Sequence, residues 1–350
     1  MSRILLTGAG GFVGHHVLEH LMAATAYSVA ATDSFRHRGK TDRISQVLAG
    51  KPQWQQRTEV ITHDLAAPFS PQMIAQLGPV GTIIAMASES HVDRSIEEPV
   101  PFVKNNVDVI LNTLELARVV KPTAVVVIST DEVYGPERDD VPHKEWAPIL
   151  PSNPYSASKA AQEAIAISYW RTYGVPVVIV NCMNLIGERQ DKEKFLPMLI
   201  HKISTGQKVP VHGRPDDIGT RHYLHARNLA SGICFILQHL PPRVYPAHLP
   251  PGSYNASMLD FRAADRPDRY NIVGPDRIDN LLLANMVAGI LGRDLDYELV
   301  DFHSARPGHD PHYGLDPAKL SACGWKPPVE FSESLRRTVQ WTVQHPDWLL

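Results

Sequence analysis

The sequence predicts an α/β protein: a doubly wound parallel sheet followed by a smaller α/β domain. Three observations predict it. Short apolar runs alternate with helical patterns through the first half. A glycine-rich turn joins the first run to the first helix. The alternation then loosens after Asn181, where shorter helices and irregular stretches take over.

Ile4-Leu5-Leu6 reads as the first buried strand, and Val17, Leu18 and Leu21 carry the first helix. Val29–Asp33, Val60–Asp64 and Val80–Ala87 read as the next three strands. A helix follows from Pro101 to Val120, with Val103, Val107, Ile110, Leu111, Leu114 and Ala117 at helical spacing. Val125 to Ile128 are four consecutive β-branched aliphatics, which suits a parallel strand covered on both faces. A helix from Pro154 to Tyr173 and a sixth strand from Val175 to Val180 complete the pattern. Beyond it, helices are expected from Phe195, over Arg227–Leu237, over Leu281–Leu291 and over Ser332–Gln344, and residues 240–270 read as a long loop or insertion. The expected partition is a Rossmann domain over 1–183, with about 218–240 returning to it, and a substrate domain over 184–217 and about 241–350.

Composition narrows the function. A formal charge of −3 over 350 residues supplies no basic field for nucleic acid. No apolar run is long enough to span a membrane. Met1 to Gly8 reaches glycine too early for a signal peptide. Three scattered cysteines, Cys182, Cys234 and Cys323, lack metal spacing and fit a reducing cytoplasm. The 17 histidines form no HExxH-type motif, so no metal site is expected.

Gly8, Gly11 and Gly14, with Phe12 and Val13 between them, lie where a strand turns into a helix. Such a turn lets backbone N–H groups approach a pyrophosphate at a helix N-terminus. Asp33 ends the second strand, 19 residues past Gly14. A carboxylate there accepts from ribose hydroxyls and repels a 2′-phosphate, so NAD is favoured over NADP, against a small opposing weight from Arg36 and Arg38. Asp64 and Leu65 end the third strand and are placed to bracket the adenine. At the carboxyl end of the fifth strand come Thr130, Asp131 and Glu132, where open α/β sheets hold their ligands. Asn153 is a good helix N-cap and Pro154 suits the first turn. Tyr155 and Lys159 are then i and i+4 on one helix face, and an ammonium beside a phenol favours the phenolate.

These residues together resemble the extended short-chain dehydrogenase/reductase superfamily, and within it the dTDP-glucose 4,6-dehydratases. The resemblance rests on Thr7 to Gly14, Ala87-Ser88-Glu89-Ser90-His91-Val92-Asp93-Arg94-Ser95-Ile96, Ser129 to Gly135, the Tyr155/Lys159 pair, Asn181 to Asn184, Arg221, Tyr270-Asn271-Ile272 and Arg306 to Asp310. The Thr-Asp-Glu triplet is its specific part, since epimerases of this superfamily usually lack the acid pair. Departures fall on the substrate side: Met86 and Ser88 replace the usual His and Ala, and Asn184-Leu185-Ile186-Gly187-Glu188 replaces Asn-Asn-Tyr-Gly-Pro.

The resemblance implies NAD as cofactor, with Ala85 and Ala87 beside it, and a nucleotide sugar as substrate. It implies substrate contacts from Glu89, His91, Ser95, Asn184, Arg221, Asn271, Arg306 and His309. It implies that Tyr155, helped by Thr130 and Lys159, removes the C4 hydroxyl proton, that Glu132 removes the C5 proton, and that Asp131 protonates the leaving C6 hydroxyl. Adjacent carboxylates in different protonation states suit elimination across neighbouring carbons. A homodimer built on the helices Pro101–Val120 and Pro154–Tyr173 is also implied. The alternatives are a nucleotide-sugar 4-epimerase or decarboxylase, and a non-catalytic NAD-sensing protein.

Overall fold

The computed structural model describes residues 3–137, 141–245, 248, 265–301 and 312–349. In chain order the first elements are β1 (Arg3–Thr7), α1 (Phe12–Ala24), β2 (Ser28–Asp33), α2 (Thr41–Leu48), α3 (Pro52–Arg57), β3 (Thr58–Thr62) and α4 (Pro71–Leu77). Then come β4 (Val80–Ala85), α5 (Val92–Glu97), α6 (Pro99–Val120), β5 (Ala124–Thr130), a 3₁₀ turn over Asp131–Tyr134, α7 (Pro154–Tyr173) and β6 (Val177–Cys182). The later elements are β7 (Leu185–Ile186), α8 (Phe195–Ser204), β8 (Val209–Arg214), β9 (Asp217–Ile218), β10 (Thr220–His222), β11 (Leu224–His225) and α9 (Ala226–His239). After them stand β12 (Asp268–Ile272), β13 (Arg277–Asp279), α10 (Asn280–Leu291), β14 (Tyr297–Val300), α11 (Ala318–Ala322) and α12 (Phe331–Gln344).

Two compact units result. The first comprises Met1–Thr130, Pro154–Asn181 and Ile233–Tyr270; the second comprises Asp131–Asn153, Cys182–Gly232 and Asn271–Leu350. The first unit is built on a seven-stranded sheet in the order β12-β6-β5-β4-β1-β2-β3. Its pairs β1–β2, β2–β3, β1–β4 and β4–β5 are parallel, as right-handed βαβ crossovers require. Leu5, Ile83, Val125, Val127, Val177 and Ile179 belong to one buried cluster with Ile110, Leu114 and Trp170 of the covering helices. β1, β2, β5 and β6 are therefore strands buried on both faces, whereas the edge strand β3 is largely open.

The second unit has its own core, made by Leu199, Ile200 and Ile203 of α8, Leu283 and Val287 of α10, and Leu335 and Val339 of α12. These pack with Val209 and Val211 of β8, which pairs in parallel with β14. This is the smaller α/β part expected after Asn181.

The boundaries differ from the sequence expectation in two places. Asp131–Asn153 belongs to the second unit, because it is tied there: the His143 N–H donates to the Gly314 carbonyl at 2.8 Å and the Asp316 N–H to the His143 carbonyl at 2.9 Å. The segment returning to the sheet is Ile233–Tyr270 rather than 218–240, because β12 supplies a seventh strand. Asp268-Arg269-Tyr270-Asn271-Ile272 shows no apolar run to announce a strand, yet all five residues are buried. Arg269 is tolerated there because Glu163, equally inaccessible, pairs with it at 2.6 Å. Most of the expected 240–270 insertion lies outside the described residues.

Candidate active site

In the first unit the glycine turn is a close fit of backbone on backbone. Gly8 has φ +70°, and a Cβ there would stand 2.9 Å from the Ala87 Cα. A Cβ on Gly14 would stand 2.0 Å from the Gly8 carbonyl oxygen, so the first turn of α1 seats on the loop only with glycine. The Thr7 hydroxyl accepts from the N–H groups of Met86 and Ala87 at 3.0 and 3.2 Å, latching the ends of β1 and β4 together. Ala85 lies opposite Thr7 in the ladder. The amides at Gly11, Phe12 and Val13 open α1, which is the geometry a pyrophosphate needs. The cradle fits a dinucleotide.

Asp33 is buried at the end of β2, and its carboxylate accepts from the Gly10 and Phe35 N–H groups at 3.0 and 2.9 Å. Burial pushes its carboxyl up, while those amides and the nearby Arg43 act against the shift. Arg43 is fully buried and donates to the carbonyls of Gly10 and Arg38, stiffening the loop around the acid. Asp64 pairs with Arg36 at 2.6 Å, so that arginine is held by a carboxylate. Leu65 is buried, and its carbonyl accepts from Asn112 at 3.1 Å.

Tyr155 and Lys159 lie on α7, both buried. The Tyr155 ring meets Phe102 edge-on with centroids 6.3 Å apart. Its backbone N–H donates to the Ser95 hydroxyl at 3.1 Å, and that hydroxyl donates to the Val92 carbonyl at 2.6 Å. Ser95 thus engages backbone groups and seats the first turn of α7. Glu89 is fixed by Asn106, which takes its N–H at 2.8 Å and gives to its carbonyl at 3.0 Å. The Glu89 carboxylate lies 3.6 Å from His37. His91 stands at the N-cap of α5.

Thr130 ends β5 and is buried. Its carbonyl accepts from Asn181 at 3.0 Å, and the same amide donates to Glu163 at 2.9 Å. The Glu163–Arg269 pair therefore reaches the carboxyl end of β5 through Asn181.

In the second unit Asp131 and Glu132 open the 3₁₀ turn that continues β5. Gly135, at φ +75°, closes that turn; a Cβ there would meet the Leu150 carbonyl at 2.4 Å. Asp131 is buried and Glu132 partly so. The Glu132 carboxylate accepts from the Asn153 amide at 3.3 Å. The amide nitrogen of Asn153 thus serves the acid. Burial and the adjacent Asp131 charge push the Glu132 carboxyl up to about 7, against the pull of Asn153, Arg221 and Lys194.

Arg221 is buried, with one N–H donating to the Thr220 carbonyl at 2.7 Å and its guanidinium 4.4 Å from the centroid of Tyr313. Asn184 is exposed, and its carbonyl accepts from the Leu224 N–H at 3.0 Å. Asn271 is tied to backbone groups through its amide nitrogen. That nitrogen donates to the His143 and Asp316 carbonyls at 3.0 and 3.2 Å, and the residue is 1% exposed, so it crosslinks the unit. Arg306 and His309 lie outside the described residues. Sequence reasoning missed Asn106, Gln162 and Lys194, none of which belongs to a contiguous motif that names its task.

A model described as the NAD dependent epimerase/dehydratase family matches residues 4–247. A dTDP-glucose 4,6-dehydratase of Streptomyces antibioticus is 31% identical, with 99% of this chain and 93% of that protein covered. The dTDP-glucose 4,6-dehydratase 1 of Escherichia coli K12 is 29% identical, over 99% of this chain and 94% of that protein. Among solved structures, a dTDP-glucose 4,6-dehydratase from Streptomyces venezuelae with NAD bound superposes with a TM-score of 0.81 at 30% identity, covering 99% of this chain and 98% of that one. With the dinucleotide cradle, the tyrosine–lysine helix and seven-tenths of the sequence matched, the chain belongs to the NAD dependent epimerase/dehydratase family.

Proposed function

We propose that this chain is an NAD-dependent nucleotide-sugar 4,6-dehydratase, a hydro-lyase that converts an NDP-hexose, dTDP-glucose first among the candidates, to the NDP-4-keto-6-deoxyhexose and water. The observation that carries the reading is the Asp131–Glu132 pair, one acid buried and the other raised to about 7, at the end of the strand that carries Thr130. A carboxyl poised near neutrality can take a proton at carbon and return it later. Relatives named as dTDP-glucose 4,6-dehydratases over nearly the whole chain support the same reaction.

Gly8, Gly11, Phe12, Val13, Gly14, Asp33, Asp64, Leu65, Ala85 and Ala87 hold NAD. Bound there, NAD would supply a reversible hydride acceptor for the C4 oxidation and the later reduction at C6. Tyr155 removes the C4 hydroxyl proton with Thr130 hydrogen-bonded alongside, and the Lys159 ammonium stabilises the phenolate. Asp131 and Glu132 share one proton: the C4 ketone acidifies the C5 proton, which Glu132 takes when the shared proton sits on Asp131, Asp131 passes that proton to the leaving C6 hydroxyl, and Glu132 returns its own to C5 as hydride reaches C6. Arg221, Arg306 and Asn184 grip the diphosphate. Glu89, His91, Ser95, Asn271 and His309 complete the sugar and nucleotide contacts.

The enzyme works as a cytoplasmic homodimer joined through α6 and α7. Exposed Val100, Val119 and Tyr173 on those helices support the contact, and light scattering that finds a monomer refutes it. The function is tested by incubating the protein with NAD and dTDP-, UDP-, GDP- and CDP-hexoses and weighing the products. Loss of water from one of them is expected. Loss from none, or a product of unchanged mass with inverted C4, overturns the reading.

A further inference from the structure

Lys159 is 5% exposed, and its ammonium donates to the Ile128 carbonyl at 2.6 Å and to Gln162 Oε1 at 2.5 Å. Gln162 lies one turn further along α7 and is itself buried. Its Nε2 donates to the Asn106 carbonyl of α6 at 2.7 Å. Asn106 is fully buried and donates to the Ser158 hydroxyl at 2.9 Å as well as clamping Glu89. These partners fix which way the Gln162 amide faces. A carbonyl has no proton to give and an ammonium has no lone pair, so the NH₂ must meet Asn106 and the oxygen must meet Lys159.

We infer that Gln162 is a positioning residue for Lys159, holding the ammonium with an uncharged acceptor anchored on Asn106. The inference rests on the proposed role of Lys159 beside the Tyr155 phenolate. Burial penalises an ammonium, and each hydrogen bond it donates favours its charged form. A carboxylate at 162 would favour that charge more strongly, but it would also cancel much of its field at the phenol. It would set a second oxygen against the Asn106 carbonyl besides. A thioether at 162 would accept almost nothing. Glutamine is the side chain that keeps the lysine charged, placed, and undiminished as a neighbour of the tyrosine.

The test reads Tyr155 directly, as the pH titration of phenolate absorbance in the full chain with NAD, taken as the difference from Tyr155→Phe. In Gln162→Glu the midpoint is expected to rise by about one pH unit, a tenfold smaller phenolate fraction at any pH well below it. In Gln162→Met it rises by less. A Gln162→Glu midpoint equal to or below that of the unaltered chain overturns the inference, and so does the absence of any phenolate signal that Tyr155→Phe removes. Should Gln162→Glu fail to fold, Gln162→Met, matched in length and volume, decides on the same terms. The titration needs no turnover. A chain that dehydrates no nucleotide sugar would sink the proposed function and leave this readout intact.

Discussion

Glu132 and Glu188 are two acids of the second unit, both taken largely out of water, and they titrate at opposite ends of the carboxylate range. Burial and the Asp131 charge raise Glu132 to about 7. Burial also raises Glu188, but His225 and Arg227 outweigh it and hold that carboxyl at about 2. The partners explain the difference. Glu132 accepts from a neutral amide, Asn153, at 3.3 Å. Glu188 accepts from His225 Nε2 at 3.0 Å and pairs with Arg227 at 3.3 Å. The Arg227 N–H donates to His225 Nδ1 at 2.9 Å, which leaves the ring hydrogen on Nε2, facing the carboxylate. The lesson is that removing an acid from water does not by itself make it a working acid. It becomes one where its partners leave the charge under-compensated, and a structural anchor where they compensate it fully.

Replacing each acid with its amide breaks the comparison most severely. Glu132→Gln is expected to lower water loss by about a thousandfold, the scale of losing a positioned base. C4 oxidation survives, so NADH absorbance appears without loss of mass and without solvent deuterium entering C5. Unimpaired dehydration in that variant assigns the base elsewhere. Next comes stability. The Glu188 carboxyl is depressed from 4.5 to about 2 in the folded chain, so its contribution is present above about pH 4.5 and fades as pH falls toward 2. Glu188→Gln should therefore cost about 3 kcal/mol at neutral pH, read by denaturant melts, and nearly nothing at the acid end of that window. Equal losses at both pH values would refute the pairing as the cause.

The same measurement on Glu132→Gln should have the opposite sign. Its folded carboxyl titrates at about 7, above 4.5, so the unfolded chain ionises first and the wild type is penalised as pH rises between those values. The amide should gain about 2 kcal/mol above pH 7, somewhat less than the full shift because Glu132 keeps partial contact with solvent. The gain should vanish below about pH 4.5. A variant with no gain at neutral pH contradicts the raised carboxyl.

What could be read from the sequence were features that lie close together along the chain. The glycine turn spans seven residues, Tyr155 and Lys159 are i and i+4, and Thr130, Asp131 and Glu132 are consecutive. A contiguous motif carries its own geometry. The groups that hold these residues in place are remote. Gln162 reaches Asn106 across 56 positions, and Asn153 reaches Glu132 across 21. Asn153 offered a local explanation as a helix cap, and Asn106 lies inside a helix whose apolar spacing already accounted for the segment. β12 was hidden for a related reason. Only Tyr270 and Ile272 among its residues are apolar, and the burial of Arg269 beside them depends on its pair with Glu163, 106 positions away. The Ser95 hydroxyl and the Asn271 amide nitrogen turn to backbone groups, a choice that only the folded chain displays.

The finest adjustment of the Glu132 setting is the amide of Asn153. It is the largest of the influences that hold the carboxyl down against burial, ahead of Arg221 and Lys194. If Glu132 acts as the ionised base, kcat/KM for dehydration falls about tenfold per unit as pH drops below about 7. Asn153→Leu keeps the volume and removes the donor. A hydrogen bond to a charged group contributes roughly 1.5 kcal/mol, so the midpoint should rise by about one unit. At neutral pH that is about a fivefold loss, and at high pH, where the acid is ionised in both proteins, the rates should converge. Arg221→Gln would also raise the midpoint, but it removes a proposed diphosphate ligand and weakens binding at every pH. Asn153→Leu alone separates the electrostatic effect from the loss of grip, because its defect can be titrated away. A loss that persists unchanged at high pH would show that Asn153 holds the backbone of the turn and not the charge of the acid.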